Sequence, residues 1–514
     1  MKRVNRLRPV ALMAALLFST FASARVELAA TAFREADFRG AEKITATCST
    51  QTPSFFCEDG QDLTLITSKG VDYVFDGAGQ LVAAFGKQQR GQRLGDYSID
   101  ARFNLIPFES EVPGLALLID GAYATPTDVA GSWREGDEGL LVGTFTARVG
   151  GFEVERTLTL QSGVDTIGVE LTARRVDGAD APSTLQLVVP GIGRTAAPVV
   201  KIGHGDSFTL NPSEQAFPDP TYASLQVNNN NRDFALVMRP APGSAGVSAT
   251  YMRPNRIAFQ AQVGAAAGAA YTFDLGLYPG HNELVRYSQE QYLELPGLFN
   301  PNILGRLSLI VVRILEFVHQ YVPSWGLSII VLTLLFRALI WPLISTQTKS
   351  MFGMQRLQPK LQELQKKYKD DREKLTQETM ALYREAGVNP AGGCLPIIVQ
   401  MPLFIILWRV FVNFEFNEGF LWLPDLGQAD PFYILPILYV AVMIATSYFS
   451  ARGNPQMLRQ SLIINVVFVF IIVGFPAGVL VYYVVSMLVQ VIQYWLLSRG
   501  QPAPVVAAPA KRSK

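Results

Sequence analysis

Charge is what this sequence has least of. Asp, Glu, Lys and Arg make up 17% of its 514 residues, against roughly a quarter in ordinary soluble domains, and the apolar excess gathers after residue 300. That composition argues against a wholly soluble chain and for a membrane protein with a soluble part. The net charge of +1 says nothing about partners, because the informative asymmetry is local. Residues 25 to 297 hold no metal-ligand cluster, phosphate loop or nucleophile elbow, and neither a cofactor nor a nucleotide is called for.

Against this apolar background one charge stands out. The run Ser324 to Leu343, SWGLSIIVLTLLFRALIWPL, is about as long as a bilayer span and contains Arg337. Counting from Trp325, a natural interfacial anchor, at about 1.5 Å per residue places Arg337 roughly 18 Å into a hydrocarbon layer about 30 Å thick. A guanidinium cannot discharge itself, and its burial there costs at least about 2.5–3.5 kcal/mol. Snorkelling to the headgroups or structural pairing is the bland explanation. No acidic residue lies in any later apolar run to neutralise it, which favours a water-filled, positively charged cavity open to one side of the membrane.

The chain begins MKRVNRLRPVALMAALLFSTFASA, four basic residues ahead of an apolar run with Ala22, Ser23 and Ala24 at signal-peptidase spacing. It is an export signal that is either cut or retained as a membrane anchor. From 25 to 297 a β-rich domain is expected, with alternating or β-branched runs at Leu63 to Thr67, Tyr73 to Phe75, Leu140 to Arg148, Phe152 to Leu160, Thr166 to Ala173, Leu185 to Val189, Phe234 to Met238, Ile257 to Gln262 and Tyr271 to Leu277. Such spacing fits a large antiparallel sandwich. His204 and His281 lie far apart in turn-like surroundings and read as surface or packing residues. Cys48 and Cys57 form a small structural disulfide loop or remain two free thiols.

Residues 298 to 323 follow the breaker Pro296-Gly297, include a second at Asn300-Pro301, and then mix apolar residues with Arg306, Arg313, Glu316 and His319. A helix lying in the outer interface, or a linker helix packed on the sandwich, fits that pattern. After the Arg337 run come four more apolar runs, Leu395 to Phe414, Pro431 to Phe449, Ser461 to Phe475 and Gly478 to Leu497. Lys349, Arg356, Lys360, Lys366, Lys367, Lys369, Arg372, Lys374 and Arg384 separate the first run from the second, whereas Asn413 to Asp430 holds Glu415, Glu418, Asp425 and Asp430 and no Lys or Arg. Arg452 and Arg459 mark the next connection, and Arg499, Lys511, Arg512 and Lys514 the tail at 499 to 514. The alternation puts the loop at 345 to 390 and the C-terminus in the cytoplasm and the β domain outside.

Within that loop, Leu357, Leu361, Leu364 and Tyr368, then Leu375, Thr379 and Leu382, recur at helical spacing, and Lys369-Asp370-Asp371 turns the chain between them. Two short helices forming a hairpin would bury this seam, with Gly387 capping the second. The basic outer face is either an ordinary solvated face or a docking surface for something acidic or nascent. In the last run Tyr483, Ser486, Gln490 and Gln493 share one helical face, Thr333 shares the face of Arg337, and Gln400 and Asn465 add amides. These are interhelical glue or, more economically, the polar wall of the cavity holding Arg337.

FRALIWPLISTQTKSMFGMQRLQPKLQELQKKYKDD, ALYREAGVNPAGGCLPIIVQMPLF, PFYILPIL and FPAGVLVYYVVSMLVQVIQ, in that order, resemble the YidC membrane protein insertase family in its Gram-negative form. The resemblance spans about 300 to 498. It implies a polytopic α-helical membrane bundle, with five C-terminal transmembrane helices and a cytoplasmic helical hairpin within 324 to 498, plus an N-terminal periplasmic β-super-sandwich domain. It implies that Arg337 is the groove arginine and that Thr333, Met401 and Tyr483 touch substrate, beside the polar Gln400, Ser486 and Gln490. Implied partners are nascent membrane proteins, the Sec translocon, the ribosome and signal recognition machinery at the hairpin and tail, and the lipid bilayer, with no specific nucleic acid. The place implied is the bacterial inner membrane. The signal-like start, Asn465 in place of a common proline, and Arg409 depart from the family pattern, the first leaving five or six spans. A solute transporter would show repeated halves, and none is found; a membrane-tethered enzyme would need a catalytic constellation in the β domain.

Overall fold

The computed structural model describes residues 42–45, 62–68, 70–87, 105–106, 112–192, 198–227, 233–253, 255–387, 395–416, 418–450, 458–459, 462–463 and 472–498. The export signal, Cys48, Cys57, Asn465, most of the run from Ser461 to Phe475, and the basic tail lie outside the described residues. The chain forms two compact units, 1–300 and 301–514.

The first unit is built from antiparallel sheets. Leu140–Val149, Phe152–Gln161 and Ile167–Arg175 alternate buried and more exposed positions along their length, as strands with one face on a core must. They join a nine-stranded sheet ordered Ser207–Leu210, Val199–His204, Pro220–Val227, Phe234–Pro240, Ala270–His281, Ile167–Arg175, Phe152–Gln161, Leu140–Val149, Thr127–Glu135. A six-stranded sheet is centred on Arg256–Val263 and Ser183–Pro190, and a four-stranded one runs from Glu42–Thr45 to Leu81–Gly86. Side chains from all three sheets, Phe75, Phe145, Leu171, Leu187, Leu236 and Phe259 among them, meet in one core. Every strand run expected from the sequence is present.

Charges buried in this unit are matched. Arg286, fully buried on helix α1 (Leu284–Gln289), bonds Asp165 at 2.9 Å and Glu290 at 2.6 Å. Lys87 pairs with Asp72 at 3.0 Å and donates to Ser68 O. Arg156 donates to the carbonyls of Ala78 and Leu115, and burial pushes its guanidinium down to about 10. The two histidines are packing groups: His204 bonds Thr209 and Ser207 and stacks on Phe217, and His281 lies against Phe234.

The second unit is helical: α2 (Ile303–Tyr321), α3 (Trp325–Lys367), α4 (Arg372–Glu385), α5 (Leu395–Asn413), α6 (Ile434–Ser450) and α7 (Ala477–Ser498). Side-chain oxygens set several starts. Asn302 accepts from Gly305 N for α2, Asp371 from Lys374 N for α4, and Asp430 from Phe432 N and Leu435 N at the entry to α6. Glu418 accepts from Trp325 N at 2.9 Å, so this acidic connection closes the start of α3. His319 stacks on Trp325 at 3.6 Å, fixing the corner between α2 and α3.

One expectation is corrected here. The first hairpin arm is not a separate short helix, because α3 continues unbroken for 43 residues through Pro342 and Pro359. Helices at membrane depth tolerate proline when neighbouring groups re-satisfy the freed carbonyl, and good helix formers from Met351 to Lys367 carry the element onward. Its distal part packs on α4, and the expected seam is the less exposed side: Leu361 is buried and Leu357, Leu364, Leu375, Thr379 and Leu382 are half-buried. Gly387, at φ +64°, takes the left-handed position after α4. Among the described residues, Trp325–Thr346 and Ala477–Leu497 are long and apolar enough to cross a membrane, while Gln400–Asn413 and Ile434–Tyr448 are shorter apolar helices.

Candidate functional site

α7 packs along α3, with α5 and α6 against α7. On α3, Ser328 and Thr333 are completely buried, and Thr333 Oγ1 donates to Ile329 O at 2.6 Å, satisfying itself within its own helix. A turn further on, Arg337 keeps only 8% of its surface exposed. Its Nε is buried without a hydrogen-bond acceptor among the described residues. The titratable groups beside it among the described residues are the phenols of Tyr482 and Tyr483 on α7, with no carboxylate among them. Gln400 on α5 faces both phenols, and Ser486 faces that of Tyr482. Tyr483 also meets the rings of Phe404 and Tyr439, at 6.1 Å each, so side chains from α3, α5, α6 and α7 converge on one locus.

Chemically the locus is a cation in a polar but uncharged shell of phenols, an amide and a hydroxyl. Ser486 Oγ is buried with no partner among the described residues. Such a shell leaves most of the cation's field uncompensated, and in a low-dielectric surround that field reaches far. Among the described residues of the locus no nucleophile is paired with a base. What the locus offers is attraction for an anion and hydrogen bonds for a polar chain.

The segment holding this locus matches the family model described as 60Kd inner membrane protein, over residues 317–503. Across more of the chain, a membrane protein insertase YidC of Deinococcus radiodurans is 34% identical over 357 residues, covering 68% of this chain and 80% of that relative. The chain belongs to the YidC membrane protein insertase family. A YidC of Nitratidesulfovibrio vulgaris is 29% identical over 489 residues, 87% of this chain and 88% of its own. A solved crystal structure of an active YidC insertase with its first transmembrane domain resolved superposes with a TM-score of 0.52 at 20% identity, covering 85% of this chain and 93% of that one. The two share a fold, and its large β-sheet unit and helical unit are those described above.

Within this YidC family chain the structure sorts the polar residues singled out from sequence. Arg337, Tyr483, Gln400 and Ser486 come together. Thr333 lies on the same helix but spends its hydroxyl on its own backbone. Met401 is 51% exposed and Gln490 is exposed. Gln493 has a different role, since it is buried and donates to Trp341 O and Ser345 Oγ; the stripe on α7 is thus part site and part helix-to-helix glue. Sequence reasoning missed Tyr482, which is 4% exposed and lies beside Arg337. As the neighbour of Tyr483 it falls off the 3-4-3 stripe by one residue, about 100° around a helix. The only available signal was a second phenol inside an apolar run.

Proposed function

We propose that this chain is a membrane protein insertase and chaperone of the inner membrane, which moves the polar flank of a new transmembrane segment across the bilayer and releases the apolar part sideways into lipid. The observation that carries this reading is Arg337, nearly enclosed, within an apolar helix and faced by phenols in place of a carboxylate. A hydrophilic groove around it, lined by Thr333, Gln400, Met401, Tyr483, Ser486 and Gln490, gives a client's acidic or polar flank a counter-charge and hydrogen-bond partners part-way through. That lowers a desolvation barrier of several kcal/mol. Burial of the apolar segment and the membrane potential, about 2.3 kcal/mol per charge per 100 mV, supply the drive, and no covalent step is needed.

In this reading five C-terminal spans form the bundle, and the N-terminal segment is a cut signal or a sixth span. Residues 25–297 form the periplasmic domain, 298–323 the interfacial helix, 324–498 the insertase core and 499–514 a cytoplasmic tail. The hairpin and tail receive ribosomes and signal recognition machinery, and the chain works alone or with the Sec translocon.

The test is protease protection of clients with zero, one or two acidic residues in the exported flank, inserted into liposomes without ATP by the parent, Arg337→Lys and Arg337→Ala. The parent inserts all three, Lys substitutes substantially, and Ala fails in proportion to client charge. Equal insertion of every client by Arg337→Ala removes the charge from the mechanism. Failure of Lys as badly as Ala, with loss of stability, makes Arg337 a planar structural clamp.

A further inference from the structure

The strand Thr127–Glu135 ends the nine-stranded sheet. It pairs with Leu140–Val149 on one side, and no strand among the described residues lies on the other. All of its residues except the half-buried Trp133 are exposed. The hairpin determines which of its backbone groups are spent. Gly136 N donates to Leu140 O at 2.7 Å, and the same register sets Arg134 opposite Val142 and Ser132 opposite Thr144. Hydrogen-bonded pairs alternate along an antiparallel ladder. Arg134, Ser132 and Ala130 therefore bond into the sheet, and Gly131, Trp133 and Glu135 turn their N–H and C=O groups to the open side. Natural edges are usually blunted by charge, proline or a bulge; here a bulge and Asp128 mark the start of the strand and Arg134 and Glu135 its end, leaving Val129 to Trp133 without charge or proline.

A pocket of about 610 Å³ opens beside this edge, lined by Gly131, Trp133, Glu135, Thr64, Leu141 and Phe145 among others. The Trp133 ring is held between Phe75 and Phe145, at 5.2 and 5.4 Å. Its Nε1 is buried with no acceptor among the described residues. A buried indole N–H normally finds one, and leaving it unmade is unfavourable. Open main-chain groups and a neighbouring pocket are what strand addition requires, since backbone bonds hold the guest and pockets read alternate side chains; here Leu141 and Phe145 give the pocket an apolar part and Glu135 a carboxylate.

We infer that this edge receives an extended polypeptide segment as a tenth strand, with apolar side chains entering the pocket and a basic side chain beside Glu135. The guest's carbonyls and amides pair with Gly131, Trp133 and Glu135. In an insertase the natural source is an exported stretch of a client that carries a basic residue outside the acidic or polar flank drawn to Arg337. That source rests on the function proposed above, whereas the strand addition does not.

Full-length chain in nanodiscs, titrated against a short fluorescein-labelled peptide of alternating valine and lysine, tests the inference by anisotropy. The parent binds saturably. The same peptide N-methylated on the residues that would pair, and the variant Glu135→Lys, each weaken binding by about tenfold or more; Trp133→Phe weakens it by a smaller factor, and Arg337→Ala leaves it unchanged. Absence of saturable binding, equal affinity for the N-methylated peptide, or loss confined to Arg337→Ala overturns the inference, and the N-methylated comparison holds even where a variant fails to fold. Concentration-dependent dimers that Glu135→Lys abolishes and the peptide does not displace assign the edge to a second copy of the chain, and overturn it too.

Discussion

The side-chain amide of Gln493 on α7 donates to Ser345 Oγ on α3 at 3.0 Å, and to the carbonyl of Trp341 at 3.2 Å. The bond to Trp341 O joins the long helices in the turn of α3 that holds Pro342. Gln490, one turn earlier on α7, is exposed. Two glutamines that look alike in sequence thus carry different loads.

Gln493→Ala is expected to lower the stability of the helical unit by about 1 kcal/mol, the scale of an interhelical hydrogen bond at membrane depth. Gln490→Ala should leave stability unchanged while weakening insertion of clients with polar flanks. Thermal unfolding in detergent, run beside a liposome insertion assay, checks both; equal destabilisation by the two variants contradicts the division of labour.

In the β unit, burial raises the Glu290 carboxyl, partly opposed by Arg286 and reinforced by Asp165. An acid whose folded pKa lies above its unfolded value binds more protons when folded, so its contribution to stability is present at low pH and lost as pH rises through the interval between the two. Glu290→Gln removes that dependence. The stability advantage of the parent over Glu290→Gln should therefore shrink as pH is raised from about 4 toward 7. Circular dichroism melts of the strand signal at several pH values read this directly, and an advantage that grows with pH is the contrary result.

The exposed basic residues of the hairpin, Lys360, Lys366, Lys367, Lys369, Arg372 and Lys374, are expected to serve delivery more than folding. Replacing them with glutamine should slow insertion of ribosome-delivered clients and leave the melting temperature within a few degrees. The gap from the parent should close as salt shortens the Debye length from about 10 Å at 0.1 M to about 3 Å at 1 M. Unchanged delivery returns these charges to an ordinary solvated face.

What the sequence made legible followed from periodicity. Strands with one wet face, such as Phe152–Gln161, announce themselves by alternation. Leu81–Gly86, buried at every position, has no alternation to read, and Thr127–Glu135, exposed at nearly every position, has no apolar side; neither is foreseen from periodicity. The helix α3 was legible as two pieces because Pro342 and the change from apolar to charged composition look like an ending, whereas packing on α4 and α7 carries it through. Arg337 was conspicuous because charge is costly in an apolar run. Tyr482 was hidden because a phenol is unremarkable there, and only the packing of α7 on α3 brings both adjacent tyrosines beside the arginine.

Because α3 is a single element of 43 residues, roughly 65 Å long, Arg337 is mounted on a crank. Trp325, clamped by Glu418 and stacked on His319, is the bearing; the end at Lys367 is the handle. Pro342 has no N–H to offer the preceding turn, so compliance is concentrated just beyond the arginine. A load arriving at the handle therefore meets that compliance before it reaches the charge, and the height of Arg337 is set from the clamped end at Trp325.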